Sequence, residues 1–123
     1  MRKTLLIITA LMLVAGCSKD GVYTEYYENG QKKRVEYWQD GEPYGKFTEW
    51  YENGQKRFEG TYKDGKKDGL WTHWYTYDGV KKEEGTYKNG EKDGKWTEWR
   101  NNGRKMSKKT YKDGKQIGKT KWY

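Results

Sequence analysis

The sequence predicts an all-β protein: an elongated, single-layer antiparallel meander of about four 24-residue hairpin repeats, preceded by a signal-peptide helix. Three observations predict it. Segments beginning at Gly21, Gly45, Gly69 and Gly94 align, with lengths of 24, 24, 25 and 24 residues, and a six-residue stub "GKTKWY" follows. Self-similarity at this period marks a repeat architecture, whose units are too small to bury a core alone and must stack on their neighbours. Turn pairs of the Asn-Gly and Asp-Gly type recur at fixed places in each unit, and such pairs are strong hairpin signals. The chain is also rich in rings, with 7 Trp, 12 Tyr and 2 Phe, although charged residues make up 36% of it.

The first segment, residues 1–16, reads "MRKTLLIITALMLVAG". Arg2 and Lys3 give it a basic start, and the apolar run from Leu5 to Val14 is about half of what a bilayer-spanning helix needs. Basic start, short apolar stretch and small residues at the end describe a secretory signal. The ending "LVAGC" resembles the lipobox of bacterial lipoproteins; the alternative is an ordinary signal followed by a chance cysteine. The resemblance implies cleavage after Gly16 and a diacylglycerol-type lipid, with palmitate-like chains, on Cys17. Residues 17–20 then form the lipidated tether. Cys17 is the only cysteine, so no intramolecular disulfide framework exists. Removing residues 1–16 takes away two basic groups and no acidic one, which lowers the formal net charge from +8 to +6.

Residues 21–123 form the repeat domain, as units 21–44, 45–68, 69–93 and 94–117 and the partial unit 118–123. The mean hydropathy of −1.42 approaches that of disordered chains, but disordered chains are poor in aromatic residues. Frequent glycine disfavours helix, at about 1 kcal/mol per position relative to alanine. Asn29-Gly30, Asn53-Gly54 and Asn102-Gly103 predict two-residue type I′ turns, in which both residues take positive φ. Asp40, Asp64, Asn89 and Asp113, each before a glycine, close the other ends. With Asn53-Gly54 as a two-residue loop, Tyr51 faces Lys56, Glu49 faces Phe58, and Phe47 faces and covers Gly60.

Alternation sorts the side chains onto two faces. One face stacks Tyr23, Phe47, Trp71 and Trp96 with Trp38, Tyr62, Tyr87 and Tyr111, a structural aromatic ladder. The other carries Tyr26, Trp50, Trp74 and Trp99 among Thr, Lys and Glu, with Arg57 assigned to the same side. One ring per unit on a polar face fits either a packing ladder or a binding surface. Trp50, Trp74 and Trp99 are therefore the candidate binding residues.

Nothing in the pattern points to catalysis, a cofactor or a metal. His73 stands alone, where neighbouring units hold Glu49 and Glu98, and reads as a solvated strand residue. The aspartates lie in glycine turns, where they supply turn hydrogen bonds. "DGKKDG" lacks the alternating oxygen ligands of a calcium loop, and its lysines would repel a cation. Basic charge interleaved with rings suits single-stranded nucleic acid, but an exported chain does not meet it, so no nucleic acid is expected. Attraction to anionic lipid heads or anionic envelope polymers is the better use of the charge.

"EGTYKDGKKDGLW" and "EGTYKNGEKDGKW" resemble the MORN repeat, in the bacterial variant found in YwqK-like, antitoxin-type proteins. The matching positions are Gly60, Tyr62, Gly65 and Gly69, and again Gly85, Tyr87, Gly90 and Gly94. Where the better-known pattern has a further glycine, this chain has Trp71 and Trp96. The resemblance implies a single-layer antiparallel sheet serving as a scaffold or binding module. The expected function is thus a non-catalytic cell-envelope lipoprotein, held to a membrane through Cys17. Ser18 does not resemble the aspartate that retains lipoproteins at an inner membrane, so an outer membrane is favoured in a cell that has one. Its partner is a protein or an anionic envelope polymer. The alternative is an immunity protein or antitoxin that neutralises a toxin.

Overall fold

The computed structural model describes residues 19–123. The expected signal helix and Cys17 lie outside the described residues. Nine strands follow one another: β1 (Gly21–Tyr26), β2 (Lys32–Gln39), β3 (Glu42–Trp50), β4 (Lys56–Lys63), β5 (Lys66–Trp74), β6 (Lys81–Lys88), β7 (Glu91–Trp99), β8 (Lys105–Lys112) and β9 (Lys115–Trp122). They pair antiparallel in chain order, in one open sheet. No second layer covers either face among the described residues, and the core sits on the sheet surface.

Turn chemistry explains both edges, and it differs from the expectation. The two-residue type I′ turns are Asp40-Gly41, Asp64-Gly65, Asn89-Gly90 and Asp113-Gly114. Their first residues take φ between 47° and 52°, and their glycines φ between 75° and 81°. At Asn53-Gly54 only the glycine has positive φ, at 84°. There the Gly54 N–H donates to the Tyr51 carbonyl (3.0 Å), and the Tyr51 N–H donates to the Gln55 carbonyl (2.8 Å). This is a three-residue loop that ends in a glycine bulge. Asn29-Gly30 and Asn102-Gly103 form the same loop.

The extra loop residue has a local consequence. Trp50, not Tyr51, faces Lys56, while Glu49 still faces Phe58 and Phe47 still faces Gly60. Arg57 is left unpaired in the ladder. Its side chain turns to the ring face, where it donates to Glu49 (2.8 Å) and lies 5.2 Å from the Phe58 ring. The predicted assignment of Arg57 to the tryptophan face is therefore corrected. Lys33 and Lys82 occupy the same bulge position and cap Tyr27 and Tyr75, as Arg57 caps Tyr51.

A second irregularity builds the core. Opposite Gly60, strand β5 carries three residues, Gly69 to Trp71, where one would suffice. Gly69 takes φ of 74° to make that bulge. The extra length lays the indole of Trp71 on the bare backbone of Gly60, where a Cβ atom would lie 2.1 Å from the ring. Trp96 sits on Gly85 in the same way, at 2.2 Å. The covering ring is thus Trp71 from the next strand, and Phe47 instead stacks on Trp71 (5.5 Å between centroids). Each indole N–H donates to the carbonyl beside its glycine, Thr61 or Thr86, at 3.1 Å. Trp71 and Trp96 are 4% and 3% exposed, the deepest rings in the chain. Burying a ring of this size contributes on the order of 3 kcal/mol.

Gly60→Ala should therefore destabilise the fold by about 1–3 kcal/mol, the usual range for overpacking. The same change in a Trp71→Phe background should cost less, because the smaller ring can move off the new methyl group. Urea unfolding of the four variants in this double-mutant cycle gives the coupling. Strict additivity would show that Trp71 does not rest on Gly60.

Candidate functional site

The two faces carry different chemistry. On the ring face, Phe47, Tyr62, Trp71, Tyr87, Trp96 and Tyr111 form an unbroken series of contacts, with successive centroids 5.0–6.3 Å apart and mostly edge-to-face. Tyr23 and Trp38 make a separate pair at 6.5 Å. Lysines cover these pairs. Lys19 lies over Tyr23 and Trp38, Lys67 over Trp71 and Tyr87, and Lys92 over Trp96 and Tyr111. Sequence reasoning passed over these lysines. Their signal was a lysine four residues before Tyr23, Trp71 and Trp96. Burial, followed by repulsion from Lys92, holds the Lys67 ammonium below its ordinary pKa.

His73 is not a solvated strand residue. Its ring stacks on Phe58, 4.1 Å between centroids and 18° from parallel. Burial, with repulsion from Lys82 and Arg57, pushes its pKa down to about 4. No acid–base pair forms around it: its ladder partners are Phe58 and Glu83, and Glu83 accepts from Lys92. At the equivalent place in the last unit, burial alone would raise the Glu98 carboxyl. Hydrogen bonds from Ser107 (2.6 Å) and Lys109 (2.9 Å) outweigh that and hold it below its usual value. Among the described residues, no group of three or more His, Cys, Asp or Glu side chains is placed to hold a metal ion.

The other face bears Trp50, Trp74 and Trp99 at corresponding points of β3, β5 and β7. Each is half-buried, so part of every ring is open. Their backbones are pinned: the hydroxyls of Tyr27, Tyr51 and Tyr75 donate to the carbonyls of Trp50, Trp74 and Trp99 at 2.7, 2.8 and 3.0 Å. Lys56 lies 5.9 Å from the Trp74 ring and Lys81 5.7 Å from that of Trp99. Thr48 and Thr72 are buried beside them, and the Thr72 hydroxyl donates to Glu84 at 2.8 Å. Strands stand about 4.8 Å apart, so the tryptophans recur roughly every 10 Å. Partly open rings on a polar sheet surface can hold a ligand by stacking and by charge, without chemical conversion.

A single-layer sheet of stacked hairpins, with side chains displayed on two open faces, is the architecture of a repeat-built binding or scaffold module. The family description "MORN repeat variant" matches residues 19–40, 43–64 and 92–113, together more than half of the chain, and the protein belongs to that family. The MORN repeat is generally a non-catalytic module. The stretch between the second and third matches contains the Thr76–Gly79 turn, one residue longer than its counterparts. No curated protein matches the chain.

The depressed pKa of His73 gives a pH signature. In the unfolded chain it gains its proton near pH 6.5, in the fold only near 4. Between those values the unfolded state binds more protons, so this contribution to stability is full above 6.5 and lost as the pH falls toward 4. The melting midpoint should drop over that range, and His73→Phe, which keeps the stack on Phe58, should show a smaller drop. Equal drops in both proteins would contradict the assignment.

Proposed function

We propose that this protein is a lipid-anchored component of the bacterial cell envelope that works as a docking module through its tryptophan face. The observation that carries the reading is the row of half-open rings at Trp50, Trp74 and Trp99, at a regular two-strand interval and on backbone that tyrosine hydroxyls pin. Tryptophan is enriched at binding hot spots, and these three rings stand among threonine, lysine and glutamate, outside the ring-on-ring contacts of the other face. The membrane part of the reading rests on the lipobox-like "LVAGC" before Ser18. An acyl anchor of two or more chains holds a protein to a bilayer, at about 0.8 kcal/mol per buried methylene. The partner is then a protein or an anionic polymer of the envelope.

Two substitutions test the two parts. Trp50→Ala together with Trp74→Ala should abolish cross-linking to an envelope partner, at a temperature where circular dichroism shows both proteins folded. Retained cross-linking would remove the tryptophan row from the reading. Cys17→Ala should stall processing or release the protein from membranes. A mature protein that still sediments with membranes after a high-salt wash would sink the lipid anchor.

A further inference from the structure

The tryptophan face changes its charge along the sheet, and the repeats themselves reveal the change. In the second unit, Glu59 sits between two lysines, with Lys46 Nζ at 3.8 Å and Lys56 also paired to it. In the third, Glu84 takes the same place and binds Lys81 (2.6 Å) and the Thr72 hydroxyl (2.8 Å). The residue at this place in the fourth unit is Lys108. Its surroundings are unchanged in kind: Lys95 stands where Lys46 stands, and Lys105 where Lys56 and Lys81 stand. On the far side, Lys108 faces Lys121, at a position held by threonine in the preceding units. Among the described residues none of these four lysines has a carboxylate partner, and three of them are exposed. The one glutamate on the neighbouring stretch, Glu98, points to the other face and is taken by Ser107 and Lys109.

Like charges placed directly opposite in a ladder destabilise it. The second unit, where Lys46 and Lys56 flank the same spot, shows that a carboxylate there, Glu59, pairs with both; the first unit has Val35 there and no lysine at the place of Lys46. Two rings flank the cluster: Trp99, half-buried, and Tyr123, 50% exposed. Lys81 lies over the first, and Lys105 and Lys121 over the second (5.9 and 5.0 Å).

We infer that this cluster is an anion subsite of the tryptophan face, and that its ligand is a carboxylated polysaccharide. The ligand's carboxylate takes the place that the side chains of Glu59 and Glu84 fill in the sister units. Its sugar rings lie on Trp99 and Tyr123, since binding sites combine apolar ring surface with a few placed polar groups. A uronic sugar carries a flat apolar face and a carboxylate in a single ring, which suits lysines set between aromatic rings. Stacked bases fit less well, because rings roughly 10 Å apart are too widely spaced for successive bases to stack. The inference rests on the docking reading above and names the ligand class for one end of the same face.

The test uses the protein as isolated from cells producing the full sequence, titrated with an oligogalacturonate and followed by tryptophan fluorescence. Binding should weaken with salt. Lys108→Glu restores the residue of the sister units, so the melting midpoint should hold or rise while affinity falls about tenfold or more. Lys63→Glu, an equal change of charge in β4 away from the cluster, should leave affinity unchanged. Absence of binding overturns the inference, and so does equal weakening by both substitutions, which would mean attraction to net charge alone. Polyglutamate or single-stranded DNA of matched charge binding as tightly as the oligogalacturonate would overturn the choice of polysaccharide. Trp50 and Trp74 lie outside the cluster. Loss of Lys108-dependent binding with Trp50- and Trp74-dependent cross-linking intact would therefore reject this subsite and spare the docking reading. The reverse pattern would reject the docking reading alone.

Discussion

The contact between an indole and a bare stretch of backbone governs this fold. A single-layer sheet has no opposing layer to bury its rings, so it must bury them against itself. Gly60 and Gly85 supply the seats, and the bulges at Gly69 and Gly94 deliver Trp71 and Trp96 onto them. The ladder from Phe47 to Tyr111 leans on those two rings: Phe47 stacks on one, the tyrosines close their edges, and lysines cover the outside. The repeats carry their own control. Where the seat is Glu36 or Lys109 instead of glycine, the residue eleven positions on is Phe47 or Thr120, and no tryptophan occurs there. Seat and ring change together within one chain, as a steric fit requires.

Much of this was legible in the letters. The period, the antiparallel order and the far half of each hairpin register follow from glycine spacing and alternation, because a one-residue slip would send every ring to the wrong side. The bulges were not legible. Asn-Gly serves equally in a two-residue turn and at the end of a three-residue loop, so the sequence alone cannot count the loop. That single residue moved Arg57 across the sheet and shifted Trp50 opposite Lys56. The candidate rings Trp50, Trp74 and Trp99 could be placed on one face, and a two-strand interval of roughly 10 Å, too wide for ring to stack on ring, already implied that part of each stays open. His73 looked exposed because its counterparts are glutamates, whereas Phe58 across the ladder gave it a ring to stack on. Phe58 recurs in no other unit: its counterparts are Arg34, Glu83 and Ser107.

The two faces divide the electrostatic work. On the ring face, lysine heads rest on aromatic surface and carboxylates are hydrogen-bonded, so charge is used to finish packing. On the tryptophan face, the same repeated positions run from matched pairs in the second and third units to lysines alone in the fourth. A repeat protein can vary one surface position by unit while keeping its frame, because each unit contacts only its neighbours. The variation along the face is thus a record of where the frame was free to change.

The hydrogen bonds between successive loops set the way this molecule would yield under load. Side chains of Tyr27, Tyr51 and Tyr75 reach one unit ahead, as do those of Asn29 and Asn53. The strands β1 and β9 lie at opposite ends of the sheet order, so tension applied through the two ends of the sheet runs across the strands. Ladder bonds loaded in that direction open one after another, like a zipper, instead of resisting together in shear. The tyrosine and asparagine links would make each unit let go as a block, giving a stepped extension with a stride of one repeat. A protein built this way is poorly suited to bear a pull between its ends.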